Sequence, residues 1–484
     1  MGCGMYKKID KNQLTLEEFN IPFGNRLSAE NRWVKMAKIM PWELIEELYA
    51  KSFSESEGRP PIPARIVYGA IYIKEQENLT DERTVEYLAE NPYAQYFVGL
   101  KEFRAELLFD SSMMVHFRKR FSAEAIKQIN EAIYDRAHLH EKEPPAGGNG
   151  QPPLGGSGNK GTMILDATVA PADIKYPTDL LLRNACREDS EKIIGKLWEY
   201  SDKSGHKTAY SRKKARRNYL RIAKQREIKA KAMRKAVGEQ LEYISKNIET
   251  LGNLLPAVGY DRITDTDLVR LATICKVYRQ QKAMHDSGKH ECADRIVSLR
   301  QPHVRCIMRG KAGRPYEFGQ RLHFSLVNGY TFIEDQEWNN YNEGIRLIAA
   351  SERYRDRYGA YPAAILADTI YRNRENRKFC RDNGIRLSGP RLGRPRKDEQ
   401  EADKAQAYKD SCDRNMVESR NGISKRRYGL DLIMAYLPAT SETEAAFQVL
   451  VMNVAYLLRV ILRFFAPYWD AYLVRVPGFQ FRFD

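Results

Sequence analysis

Two short apolar runs of β character, Thr162-Met-Ile-Leu-Asp166-Ala-Thr-Val-Ala170 and Ala363-Ala-Ile-Leu-Ala-Asp368, each carry a single aspartate in a setting that otherwise belongs in a core. A lone acid on a buried strand is costly unless a cation meets it. A third carboxylate stands in company just as unusual. Glu418 lies in the run 410–430 among Arg414, Arg420, Lys425, Arg426 and Arg427. If that run is helical, the spacing i, i+4, i+11 puts Arg414, Glu418 and Lys425 on one narrow arc. A surface helix laced with i,i+4 ion pairs accounts for the same spacing. Two strand aspartates and one helical glutamate make, instead, a three-carboxylate set suited to two hard divalent cations, with the neighbouring bases left to grip phosphate.

The pattern Arg414-x3-Glu418-x6-Lys425, coming after the ILDAT and ILAD strands, resembles the DDE transposases of bacterial insertion sequences. The phrases Ala170-Pro-Ala-Asp-Ile-Lys-Tyr-Pro-Thr-Asp179, Leu387-Ser-Gly-Pro-Arg-Leu-Gly-Arg-Pro395 and Lys425-Arg-Arg-Tyr-Gly-Leu430 look like one branch of that family, and the resemblance runs from near Pro60 to near Leu458. It implies an RNase H-like core in which Asp166, Asp368 and Glu418 are the catalytic residues and ligate two Mg²⁺ ions, with Mn²⁺ as a substitute. It implies that Arg414 and Lys425 hold phosphate near the scissile bond, with Arg426 and Arg427 as further DNA contacts. The implied activity is cleavage at the ends of an insertion sequence and joining of the 3′-OH ends to target DNA. The implied partners are double-stranded DNA, as terminal inverted repeats and as target, and a second copy of the chain in a homodimer on DNA. The sequence departs from the family at Ser411, where the motif has a tyrosine that contacts the DNA end; Tyr408 lies one helical turn further back. Two other readings share part of this signal. An RNase H-like nuclease without strand transfer would keep the three acids, and a non-catalytic DNA-binding descendant would keep the basic surfaces; retention of all three acids ranks the second of these last.

Charge agrees with a polyanionic partner. Lysine and arginine number 79 against 63 aspartates and glutamates, for a net charge of +16, and 484 residues at 43% hydrophobic content can bury a sizeable core. The seven cysteines are odd in number, scattered and never spaced C-x-x-C, which argues for a reducing cytoplasm and against a disulfide scaffold. His285, His290 and Cys292, with Cys275 further off, form the one metal-like group outside the acids, at a spacing that matches no common zinc site. The first eight residues lack an apolar signal core, and Tyr6 stands where myristoylation needs Ser or Thr. The stretch from Ala445 to Phe465 is interrupted by Gln448, Asn453, Arg459 and Arg463, so it reads as a core helix and not a membrane span. The expected location is cytoplasmic, at the nucleoid.

Helical periodicity begins at Ala29, continues through a helix opened by Pro61-Ile-Pro and ends near His138. The two helices flanking Asn78 to Thr80 are read either as a helix-turn-helix unit or as a purely structural hairpin, because Glu82, Glu86 and Glu90 face phosphate badly. Residues 1–140 form a helical N-terminal DNA-binding domain on this reading, and the Gly/Pro-rich stretch 141–160 is a linker. A catalytic domain follows over 161–465, with a helical insertion at about 180–298, and 466–484 is a tail. Within the insertion, Lys207 to Lys235 holds thirteen Lys/Arg against the single acid Glu227. As one helix at ~1.5 Å per residue it would run about 40 Å. Lys213, Lys214, Arg216 and Arg217 are its candidate phosphate contacts. Further on, alternating segments 303–308, 318–327 and 330–334, the last two joined by Asn328-Gly329, predict an antiparallel meander. A helix over 340–358, a strand at 363–368, a helix over 373–383 and a strand at 385–388 complete the order of an α/β, RNase H-like mixed sheet, preceded by an all-α N-terminal domain. Gly393-Arg-Pro-Arg396 has the look of a minor-groove hook or of a plain basic loop. Gly422 is expected to end or bend its helix before Lys425.

Overall fold

A computed structural model describes residues 19–21, 26–53, 61–138, 158–204, 207–311, 314–390 and 400–473. The linker at 141–157, the Gly393–Arg396 loop and the last residues of the tail lie outside the described residues. Among the described residues seven helices come first: α1 (Arg32–Ile39), α2 (Trp42–Ala50), α3 (Ala64–Glu77), α4 (Asp81–Glu90), α5 (Pro92–Phe97), α6 (Met113–Arg118) and α7 (Ala123–Ala137). Strand β1 (Thr162–Pro171) is followed by α8 (Asp179–Trp198), α9 (Arg212–Ala223), α10 (Ala230–Val258) and α11 (Asp265–Ser287). Next come β2 (Arg305–Lys311), β3 (Arg314–Val327), β4 (Tyr330–Glu337), α12 (Leu347–Tyr358), β5 (Ala364–Leu366), α13 (Arg374–Asp382) and β6 (Arg386–Leu387). Two long helices close the chain, α14 (Gln400–Tyr428) and α15 (Pro438–Leu473), the second running on past the boundary read at residue 465.

By its packing the chain divides into two compact units, one made of residues 1–171, 321–336 and 341–484, the other of 172–320 with 337–340. In the first unit the sheet is mixed. β1 lies between β3 and β5, β6 follows β5 at the edge, and β4 pairs with β3. β1 and β5 run parallel in the register Thr162↔Ala364, Met163↔Ile365, Ile164↔Leu366, and β5 and β6 are parallel as well. The β3–β4 hairpin turns at Asn328 (φ 52°) and Gly329 (φ 82°), two left-handed residues that match the twist of the strands they join. One large core unites this sheet with the N-terminal helices and α15: Trp33, Tyr68, Tyr72 and Phe97 belong to the same buried cluster as Leu165, Phe324, Phe332 and Phe447. α3 is almost wholly interior, whereas the outward residues of α4 are Glu82, Arg83, Glu86 and Glu90, three acids to one base. That face disfavours phosphate, and Arg83 is already paired with Glu86 at 2.6 Å.

The second unit contains the stretch 180–298 and is built on α8, α10 and α11 around Cys186, Ile194, Leu197, Ile244, Leu251 and Ile274. Here β2 pairs antiparallel with the opening residues of β3, Met308 opposite Tyr316. The expectation of one long helix from Lys207 to Lys235 is corrected. The run breaks after α9, and residues 224–229 connect it to α10. Its apolar residues explain the break. Tyr219 and Ile222 on one side, and Ile228, Met233, Ala236 and Val237 on the other, gather in one small cluster with Leu180, which a straight helix could not achieve. The Gly422 expectation is corrected too. α14 continues unbroken to Tyr428 because Val417, Ser424 and Tyr428 are buried along it, and that packing outweighs the ~1 kcal/mol a helical glycine costs.

Candidate functional site

The register of the parallel pair sets the two aspartates. Ile164 is opposite Leu366, and Asp166 and Asp368 each lie two residues further along their parallel chains. Asp166 is half-buried in the middle of β1; Asp368 has left the sheet and stands at the head of the short 3-10 turn Thr369–Tyr371. α14 is fastened above them by Val417, which packs against Ile164, Leu326 and Leu366 from three strands. With Val417 inward, the residues one turn to either side come to these two aspartates. Arg414 Nη1 meets Asp368 Oδ1 at 2.7 Å, and Arg414 Nη2 lies 3.8 Å from Glu418 Oε1. Asn421 Nδ2 donates to Asp166 Oδ2 at 2.7 Å.

Burial pushes the Asp166 carboxyl up to about 6, and the charges of Glu343, Asp368 and Glu418 add to the rise, while the Ala167 backbone N–H works against it. The three sequence-predicted acids therefore share one electrostatic neighbourhood, Asp166 half-buried and the Asp368 and Glu418 side chains 54% and 64% exposed. Among the described residues no group of three acidic, histidine or cysteine side chains stands close enough to hold a metal ion. Arg414 lies between Asp368 and Glu418, and Asn421 holds Asp166. The same finding leaves His285, His290, Cys292 and Cys275 without a metal-binding arrangement. The donor chemistry of the acids does fit a hard divalent cation: all are carboxylate oxygens, and the buried Asn421 Oδ1 beside Asp166 has no hydrogen-bond partner.

The other predicted residues are distributed as follows. Lys425 shares the face of Arg414 and Glu418 on the continuous helix, but seven residues beyond Glu418 at ~1.5 Å each puts it roughly 10 Å further along the axis. Arg426 is exposed and donates from Nε to the Gly422 carbonyl of its own helix at 3.2 Å, and Arg427 is exposed beside Tyr428. Lys213, Lys214, Arg216 and Arg217 are all exposed on α9, and none has an ion pair among the described residues. Tyr408 is 75% exposed and does not pack on the core. It also lies about 100° around the helix from the Arg414–Glu418 face, so it does not replace the missing tyrosine there.

Sequence reasoning missed two residues. Asn421 had a signal, being one turn past Glu418 and hence on its face. Glu343 had none, because it reaches the site only through the tertiary placement of the turn Glu343–Arg346.

Residues 22–120, which take in α1 to α6, match the family described as "Transposase domain", and residues 365–455 match the one described as "Transposase DDE domain". The second match begins in β5 and contains Asp368 and Glu418; Asp166 lies upstream of it. The chain is also similar to the "Uncharacterized protein ORF8 in nfe locus" of Rhizobium meliloti, 29% identical over 213 residues, which is 43% of this chain and 90% of that protein. No solved structure matches. The mixed sheet with its two aspartates, the helix that carries Glu418 and the two transposase-domain matches agree, and together they support a DDE transposase of an insertion sequence.

Proposed function

We propose that the chain binds the ends of its insertion sequence as a homodimer, cleaves phosphodiester bonds there and joins the freed 3′-OH ends to target DNA, at the nucleoid, using an RNase H-like core and Mg²⁺ or Mn²⁺. The observation that supports this reading is that one helix, α14, reaches all three acids, with Arg414 beside Asp368 and Glu418 and Asn421 bonded to Asp166. Asp166, Asp368 and Glu418 would hold the divalent ions, whose chemistry is to activate the attacking hydroxyl and stabilise the leaving oxygen. The chain's own residues do the rest. Asn421 fixes the rotamer of Asp166 from the same helix that carries Glu418, so the two acids keep a constant separation. Arg414, once the acids are otherwise neutralised, presents two guanidinium nitrogens to the phosphate at the scissile bond, where a fixed cation offsets charge developing in the transition state. Lys425, Arg426 and Arg427 continue the cationic track along α14. The bases of α9 add sequence-independent phosphate contacts.

The test is cleavage of a duplex carrying the DNA that flanks the reading frame, with Mg²⁺. The native protein is expected to cut it and to produce joined products with a target duplex, and Glu418→Gln is expected to do neither. Robust cutting by Glu418→Gln overturns the mechanism. Cutting without any joined product reduces the function to that of a nuclease.

A further inference from the structure

Behind the three acids stands a built ion pair that the reaction above does not use. The Arg321 guanidinium, at the point where β3 enters the first unit, is bonded to the Glu343 carboxylate. It is held there by a second donation, from Nη1 to the Tyr341 carbonyl at 2.8 Å, and by the Tyr341 ring 5.2 Å from its centre. Both members are largely sheltered, with side chains 13% and 16% exposed.

Glu343 is also tied to the turn that Asp368 begins. Its neighbour Gly344 presses on the Ile370 carbonyl so closely that any side chain there would collide with it. Asn376 Nδ2 donates both to the Gly344 carbonyl at 2.5 Å and to the Tyr371 carbonyl at 2.8 Å, and Asn373 Nδ2 reaches the same Gly344 oxygen at 3.2 Å. The turn carrying Glu343 and the turn headed by Asp368 are therefore stapled to each other. A fourth carboxylate is kept near the site, with its own counter-charge attached.

We propose that Arg321 and Glu343 are positioning residues that set the cation affinity of the Asp166–Asp368–Glu418 site, Glu343 adding negative potential and Arg321 cancelling part of it. The proposal rests on the metal site inferred above. A pair of this kind keeps the site attractive to a divalent ion without the self-repulsion of four free carboxylates, and its two halves act in opposite directions. Purely structural residues would not.

The experiment is Mn²⁺ binding to the full chain, followed by calorimetry without DNA, with circular dichroism to establish folding. Glu343→Gln is expected to weaken Mn²⁺ binding by roughly three- to tenfold, and Arg321→Gln to tighten it by a similar factor. Glu343→Asp, which retains the charge, is expected to stay near the native affinity. Loss of affinity in both Gln variants, or no change in either, overturns the proposal. Asp166→Asn separates the two levels of the argument. If native Mn²⁺ binding survives that change undiminished, the metal site itself is wrong and this proposal falls with it. If binding depends on Asp166 and yet neither Gln variant moves it, this proposal alone fails.

Discussion

The acids Asp166, Asp368 and Glu418 and the bases on α9 are both unusual concentrations of charge, and they are built in opposite ways. Each acid of the site has a partner at a stated distance: Asp166 has Asn421, and Asp368 has Arg414, which also lies 3.8 Å from Glu418. The exposed bases of α9, Lys213, Lys214, Arg216 and Arg217, have no ion pair among the described residues. Arg212 at the start of that helix is the exception, its Nε 4.0 Å from Glu191 Oε2 and its Nη2 donating to the Glu191 backbone carbonyl at 2.9 Å. Charge that must act on one bond is fixed by geometry, because small misplacement costs large factors in rate. Charge that must attract a uniform polyanion gains nothing from being fixed, since phosphate recurs along the whole duplex.

The largest expected effect breaks the fixed half of this comparison. Asp166→Asn retains the shape and the Asn421 contact but removes one negative charge, and cleavage with Mg²⁺ is expected to fall by about a thousandfold or more, several kcal/mol of barrier. Binding of the end-containing duplex, measured by anisotropy in the absence of metal, is expected to hold within a few-fold. A parallel collapse of binding would mean that Asp166 supports the fold and not the chemistry.

The free half is tested by replacing Lys213, Lys214, Arg216 and Arg217 with Ala together. Affinity is expected to drop by a similar factor for end and unrelated sequences. The slope of log K against log salt should become shallower by up to about 0.9 for each phosphate no longer neutralised. Because these side chains are exposed and have no ion pair among the described residues, the variant should keep its thermal stability. An unchanged salt slope would place DNA elsewhere on the protein.

What could be read from the residues alone follows the same division. Asp166, Asp368 and Glu418 were legible because a carboxylate in an apolar strand, or alone among bases, violates local expectation and so signals a tertiary purpose. The Asn328-Gly329 hairpin and the strand order were legible for a local reason, since turn chemistry and alternation need no distant partner. Glu343 was not, because it lies in a polar turn where glutamate is ordinary and acquires meaning only when Asn376 staples that turn to Tyr371. The break between α9 and α10 was hidden because no Gly or Pro marks it; a cluster of seven apolar side chains, Leu180 among them, folded the run back on itself. Gly422 misled in the opposite direction, its weak helical propensity overridden by buried neighbours.

A fixed charge is not always a functional one, and Glu444 shows the limit. It is 6% exposed on α15 and accepts from the backbone N–H groups of Met434 and Ala435, both at 3.0 Å. Burial first, and then the nearby Glu75, push its carboxyl up to about 7, with Lys74 opposing. Its folded value therefore lies above its unfolded one, so the stability it confers is complete below pH ~4.5 and is lost as pH rises through about 7. The native protein is expected to lose on the order of 1–3 kcal/mol from this group over that window, read as a falling urea midpoint. Glu444→Gln should flatten that fall and leave Mg²⁺-dependent cleavage within a few-fold. A marked loss of cleavage would show that perturbed, buried acids in this unit track function more closely than the comparison allows.

The smallest expected effect concerns Ser411, where the family has tyrosine. It lies seven residues before Glu418, so on the unbroken α14 the two share a face about 20° wide. The Ser411 side chain is exposed, and no hydrogen bond ties it to the described residues. A serine at that place is too short to reach a phosphate lying over Glu418 and has no ring to stack on a base. In the proposed function the DNA end is held by Arg414 and the bases beyond it, without help from this position. Ser411→Ala is accordingly expected to change the cleavage rate by no more than a few-fold. Ser411→Tyr, which restores the family residue on an exposed face with room for it, should tighten binding of the end-containing duplex by up to about tenfold, the worth of one added hydrogen bond or partial stack. The gain should appear with end DNA and not with unrelated duplex, because only a positioned end brings a phosphate or base to that face. If Ser411→Ala costs more than tenfold in rate, the hydroxyl is itself a DNA contact, and the line between fixed and free charge must be redrawn one turn earlier along α14.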